Sequence, residues 1–172
     1  GYLTVRKESF AHDLPLAEAK SMLRRLLELS REKRLSFGVK LTNTLGAVNA
    51  KGVLPGDEFY VSGRALFPLS INVAAILSRE FDGELPVSYS GGASLFNIKD
   101  IFETGIRPIT MCTDLLKPGG YLRLLECAKE LDRSDAWRMT RIDVARLEAL
   151  AAGSLTAEYT QKSWRPKDVI DA

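Results

Sequence analysis

Gly91 and Gly92 stand between an apolar run that ends at Ser90 and a segment of helical pattern that begins at Phe96. A glycine pair between strand and helix lets the backbone approach a ligand without Cβ clashes, and the N–H groups of the turn and helix start then face an anion. Phosphate suits that arrangement best. In eight-stranded α/β barrels a common phosphate site follows strands seven and eight, where Gly91, Gly92 and the strand end at Thr113-Asp114 would fall. The same pair also makes an ordinary tight turn, and the residues alone leave both readings open.

Lys40 lies in "LSFGVKLTNT", where Phe37, Val39 and Leu41 alternate with Gly38, Lys40 and Thr42 as in a strand. In a parallel sheet such a lysine points into a region where an unpaired ammonium is costly, so it should meet an anion or an electron-rich ring. Beside Asn43 at the strand end it reads as a ligand contact. On an edge strand it would instead extend to water. "VSGRALFPL" puts Ser62 and Gly63 at a second donor-rich turn, with Arg64 either holding a phosphate or pairing with a surface acid. His12, the only histidine, reads as a local turn partner rather than a base. Cys112 reads as core within an apolar strand, and Trp164 as an anchor for the tail.

The elements that must position these residues follow from period and punctuation. Tyr2 to Val5 is strand-like, and a helix begins near Pro15, with Ala19, Met22, Leu23, Leu26 and Leu27 at helical spacing. The arginines and lysines between them form a solvated face. Residues 45–69 show glycines and a proline but no helical period, which predicts a long loop with a short strand at Glu58 to Val61. Helices are predicted over 70–81, with Ser70 as N-cap, and over 96–103, 121–131 and 142–152. Strands are predicted over 85–90 and 106–113. Alternation of strand and helix predicts parallel strands with helices packed outside.

At 172 residues and net charge +2, with acids and bases mixed, the chain is long enough for one core and shows no nucleic-acid footprint. Cys112 and Cys127 match neither a metal motif nor a disulfide framework, which favours reduced thiols in the cytoplasm. No apolar run reaches the roughly 20 residues of a membrane span.

"FGVKLTNTLG", "GVLPGDEFYVSGRALFPL", "PVSYSGGA" and "TGIRPITMCTDLLKPGGYLRL" together resemble the flavin-barrel segment of the selenate reductase subunit family (YgfK-like), large bacterial iron–sulfur flavoproteins. The likeness runs from about His12 to Pro166. It implies a (β/α)8 barrel similar to that of dihydroorotate and dihydropyrimidine dehydrogenases, which bind FMN. On that resemblance Lys40 would contact the flavin ring, Asn43 and Thr44 would lie near ring and substrate, and Ser62, Gly63, Gly91, Gly92 and Thr113 would surround the phosphate.

The order of elements is read as the C-terminal part of such a barrel: residues 1–131 as a partial barrel domain and 132–172 as a helix and extended tail. Early strands, a loop base and the family's cysteine clusters are not seen in this stretch, so the chain reads as a fragment of a larger oxidoreductase, with FAD and iron–sulfur centres elsewhere in the parent. The expected partners are the parent's other domains or subunits, or a second copy covering exposed apolar faces. Two other readings are a barrel scaffold that has lost flavin, and an aldolase-type lyase using Lys40 as a Schiff base.

Overall fold

The computed structural model of the chain describes residues 3–155 except 6, 12, 43, 53 and 54. The readings of His12, Asn43, Trp164 and the tail from 156 fall outside the described residues.

Two short strands lie parallel at the centre: β2 (Val39–Leu41) pairs with β5 (Val87–Tyr89), with Lys40 opposite Ser88 and Leu41 opposite Tyr89. A third segment continues the sheet. Arg107 N–H donates to the Val87 carbonyl at 3.2 Å, Tyr89 N–H to Pro108 at 2.8 Å, and Thr110 N–H back to Tyr89 at 2.8 Å. The strand expected over 106–113 is therefore paired over only 107–110, in part because Pro108 has no N–H to give. Helix α2 (Phe67–Glu80) leads into β5, α3 (Ile98–Glu103) joins β5 to the third segment, and α4 (Gly120–Asp132) follows it. This is the expected strand-and-helix alternation.

The region expected as a long loop folds otherwise. Strands β3 (Leu45–Asn49) and β4 (Glu58–Val61) pair antiparallel, and β1 (Leu3–Thr4) adds to the far side of β3. Only Ala47 of β3 is buried, so the hairpin never shows the apolar alternation of a strand packed on a core. Helix α2 likewise starts at Phe67 rather than Ser70, because Pro68 sits in the first turn, where a missing N–H costs nothing. Ser70 is fully buried inside the helix instead of capping it.

The core lies on one face of the parallel strands. Ile71, Ala74 and Ala75 of α2 pack with Val87 and Tyr89 of β5, Ile101 of α3, and Leu147 and Ala151 of α5 (Val144–Gly153). Asp143 caps α5 by accepting from Arg146 N–H at 3.0 Å. Val39 and Leu41 face the same side, which by strand alternation turns Lys40 and Ser88 to the opposite face. No closed barrel forms among the described residues.

Helix α1 (Leu16–Lys33) docks on α2 through Leu23 and Leu27 against Leu77, Phe81 and Leu85. Its basic face is partly engaged rather than merely solvated: Glu80 receives Lys20 at 2.8 Å and also Arg24, and Arg31 pairs with Glu84. The Lys20 hydrogen bond is the main reason the Glu80 carboxyl is held below its ordinary value. No described helix is long and apolar enough to cross a membrane.

Because Leu147 is fully buried between helices and sheet, Leu147→Ala should cost about 2–5 kcal/mol, read as a lower urea midpoint with an unchanged slope. A change within error would show that α5 is not part of the cooperative core.

Candidate functional site

The carboxyl ends of the parallel strands meet at a cleft of about 290 Å³. Its walls come from four places: Thr42 and Thr44 after β2, Ser62 to Arg64 before α2, Ser90 to Ala93 after β5, and Thr110 to Asp114 after the third segment. Ligands in α/β sheets and barrels bind at this end, where loops diverge and backbone groups have no strand partner.

Tight backbone contacts bring the walls together. Gly92 has φ +81°, and a Cβ there would stand 2.8 Å from the Gly63 carbonyl and 2.9 Å from the Phe67 nitrogen. Gly63, at φ +69°, would press a Cβ to 2.8 Å from Thr113 Cγ2. Close approach between turns thus demands glycine at both places, apart from any ligand. The carbonyls of the Gly91-Gly92 turn are held from behind: Tyr89 OH donates to Gly91 at 2.9 Å and Asn97 Nδ2 to Gly92 at 3.0 Å. Asn97 also accepts from Ser94 N–H at 2.8 Å. Among the described residues the N–H groups of Gly91, Gly92 and Ala93 meet no acceptor. With the two glycine carbonyls engaged, these N–H groups are what the turn has left to offer an anion.

Thr42 Oγ1 and Ser70 Oγ lie 2.6 Å apart and tie the end of β2 to the first turns of α2. Arg64 adds a cation to the wall, its guanidinium 5.4 Å above the Phe96 ring and its Nη1 buried without a partner among the described residues. Asp114 is 3% exposed; Lys117 Nζ meets its Oδ1 at 2.9 Å.

Of the residues singled out in the sequence, Thr44, Ser62, Gly63, Gly91, Gly92 and Thr113 come together around this cleft. Lys40 does not. It is exposed on β2, upstream of the cleft and on the face away from the helices, so the expectation that its surroundings make an unpaired ammonium costly does not hold. With so few strands present, no described element covers that face. Cys112, read as core, is exposed and lines the cleft, because the third strand stops pairing before it. In the sequence Asp114 reads only as a strand end, and Thr42, Ser90 and Thr110 carry no signal for the site. A polar residue directly after an apolar run is the pattern that could have found them.

Parallel strands flanked on one side by helices, with a glycine-lined cleft at their carboxyl ends, define an α/β domain of the barrel class. The chain belongs to the family described as the N-terminal TIM-barrel domain of oxidoreductase YgfK, which matches residues 1–162. It is 66% identical over 171 residues, 99% of its length, to proteins named "Putative oxidoreductase YgfK" from Escherichia coli strain K12 and Escherichia coli O157:H7. The chain spans only 17% of the length of these curated relatives. No solved structure matches it.

The family places the chain at the N-terminal side of its longer relatives, which corrects the reading of a C-terminal part. Successive strand–helix units repeat one physical pattern, so their period carries no information about position in a barrel.

Gly92→Ala should destabilise more than Gly52→Ala, which also has positive φ but nothing within 4 Å of its Cβ. The second should cost about 1–2 kcal/mol and the first more, measured by thermal melts; equal costs would refute the packing account. Burial, helped by the Asp114 and Glu126 charges, pushes the Cys127 thiol up to about 11. Its folded value exceeds its unfolded one, so this contribution is complete below about pH 9 and lost as pH rises through 11. Urea midpoints should fall over that window and fall less in Cys127→Ala.

Proposed function

We propose that the cleft holds the phosphoryl end of FMN and that this domain is the flavin-binding part of a multi-domain oxidoreductase. The observation that supports it is the convergence of Gly63, Gly91, Gly92 and Arg64 at the carboxyl ends of the parallel strands. Turn N–H groups and a guanidinium are the donors a phosphate dianion needs. Bound FMN supplies reversible storage of electrons; the residues here hold and orient it. Lys40, on the open face of β2, is the cation available to a ring extending from the cleft along the sheet, where it would favour added electron density at the ring's N1–C2=O edge. Thr44, after β2 and on the cleft wall, would offer such a ring a polar group.

On this reading FAD and iron–sulfur centres lie in other parts of the parent, and the partners are those domains, in the cytoplasm. Selenate is the first acceptor to assay. The lyase reading loses its support, since Lys40 is exposed and lines no part of the cleft.

The test is visible absorbance of the full-length protein carrying this domain, before and after addition of FMN, with Arg64→Ala alongside. We expect flavin absorbance that survives gel filtration, and affinity about tenfold or more weaker in Arg64→Ala, as for loss of one charged hydrogen bond. A full-length protein that neither carries nor takes up FMN would make this barrel a scaffold for the other domains.

A further inference from the structure

The third strand segment leaves one edge of the parallel sheet open. The Pro108 carbonyl and the Thr110 N–H both bond to Tyr89, so strand alternation turns the N–H and carbonyl of Ile109 to the far side. Among the described residues neither meets a partner there, and the N–H of Met111, two positions on, has none either. Beside that edge runs an apolar groove of about 510 Å³, walled by α3, α4 and the segment itself. Leu124, Cys127, Ala128 and Leu131 bring one stripe of α4 to it, and of these only Cys127 is buried. Such a stripe is the face by which a helix covers a sheet, and here the sheet beneath it stops short.

The groove offers a small molecule no polar handle. Arg107 is the charged residue on its wall, and the guanidinium is taken up by the Ala136 and Trp137 carbonyls and the Phe102 ring. What remains unspent is main chain, at Ile109 and Met111. An extended segment would pair with those groups and send every second side chain into the groove. The described chain does not supply it. Past α4 it bonds to the turns that precede β5 and the third segment, Ile142 N–H donating to Gly83 at 3.1 Å and Asp143 N–H to Thr104 at 2.8 Å, and then lays α5 on α2. The chain spans 17% of its curated relatives' length, which leaves ample polypeptide in them to supply a strand.

We infer that the outer edge of residues 107–111 and the groove beside α4 receive a further strand from another region of the longer polypeptide. That strand runs parallel, as β2, β5 and the third segment do, is apolar at alternate positions, and lacks proline where it must donate. The surface is separate from the cleft, and its role stands whether or not flavin binds.

Hydrogen exchange resolved by residue, on the full-length protein carrying this domain, tests it. We expect the Ile109 and Met111 amides to exchange within about tenfold of the rate at Thr110, whose bond to Tyr89 sets the scale. Ala128→Asp, which puts a charge into the groove, should speed both by about tenfold or more while Tyr89 and Thr110 stay slow. Should that variant not fold, Tyr89 and Thr110 lose protection as well, and the unaltered protein decides alone. A photo-reactive analogue in place of Leu124 should cross-link to a region of the same polypeptide outside residues 3–155. Exchange at both amides as fast as in an unprotected chain overturns the inference and leaves the edge open to water. A cross-link only to a second copy of this domain also overturns it and makes the groove a dimer contact.

Discussion

The fold turns on how Tyr89 is placed. Its ring is fully buried among the helices, its N–H takes the Pro108 carbonyl, and its own carbonyl receives both the N–H and, at 3.0 Å, the hydroxyl of Thr110. Its phenol reaches forward to the Gly91 carbonyl. One residue thereby joins the core, the third strand and the turn that forms the cleft. Burial drives its hydroxyl far above the ordinary value for tyrosine, so it stays protonated and keeps donating. A phenylalanine there would fill the same space but leave the Gly91 carbonyl without that donor.

What Tyr89 anchors, the glycines make possible. The turns at Gly63 and Gly91-Gly92 approach so closely that a side chain at Gly92 would strike the main chain at Gly63 and at the start of α2. Packing and ligand binding are therefore not rival explanations of these glycines. The same close approach removes side chains from the cleft wall and leaves main-chain donors in their place. Arg64, steadied over Phe96, supplies the formal charge that those dipoles lack.

Helices cover one face of the parallel strands and not the other. Residues at odd positions of the strands, Val39, Leu41, Val87 and Tyr89, are apolar and carry the helices; Lys40 and Ser88 between them are polar and carry none. In a closed barrel the second face is interior, lined by strands all around. Here the described strands are too few to enclose it, which is why a lysine that reads as buried stands in water.

The amino-acid order alone determined the class of the fold and most of the helices, because α2, α4 and α5 keep an apolar period over ten residues or more, and because strand and helix alternate. It also pointed to Gly91, Gly92, Gly63 and Thr113, since glycines and hydroxyls at strand ends have few other uses. Tertiary structure decided the rest. The β3–β4 hairpin forms by pairing with itself and β1 rather than by burying an alternating face, so no local pattern announced it. Arg64 and Asp114 line one cleft although fifty positions of chain separate them, and only the meeting of two strand ends brings that about. Local sequence encodes which face is apolar; which ends meet depends on contacts between distant segments, and those exist only once the chain has packed.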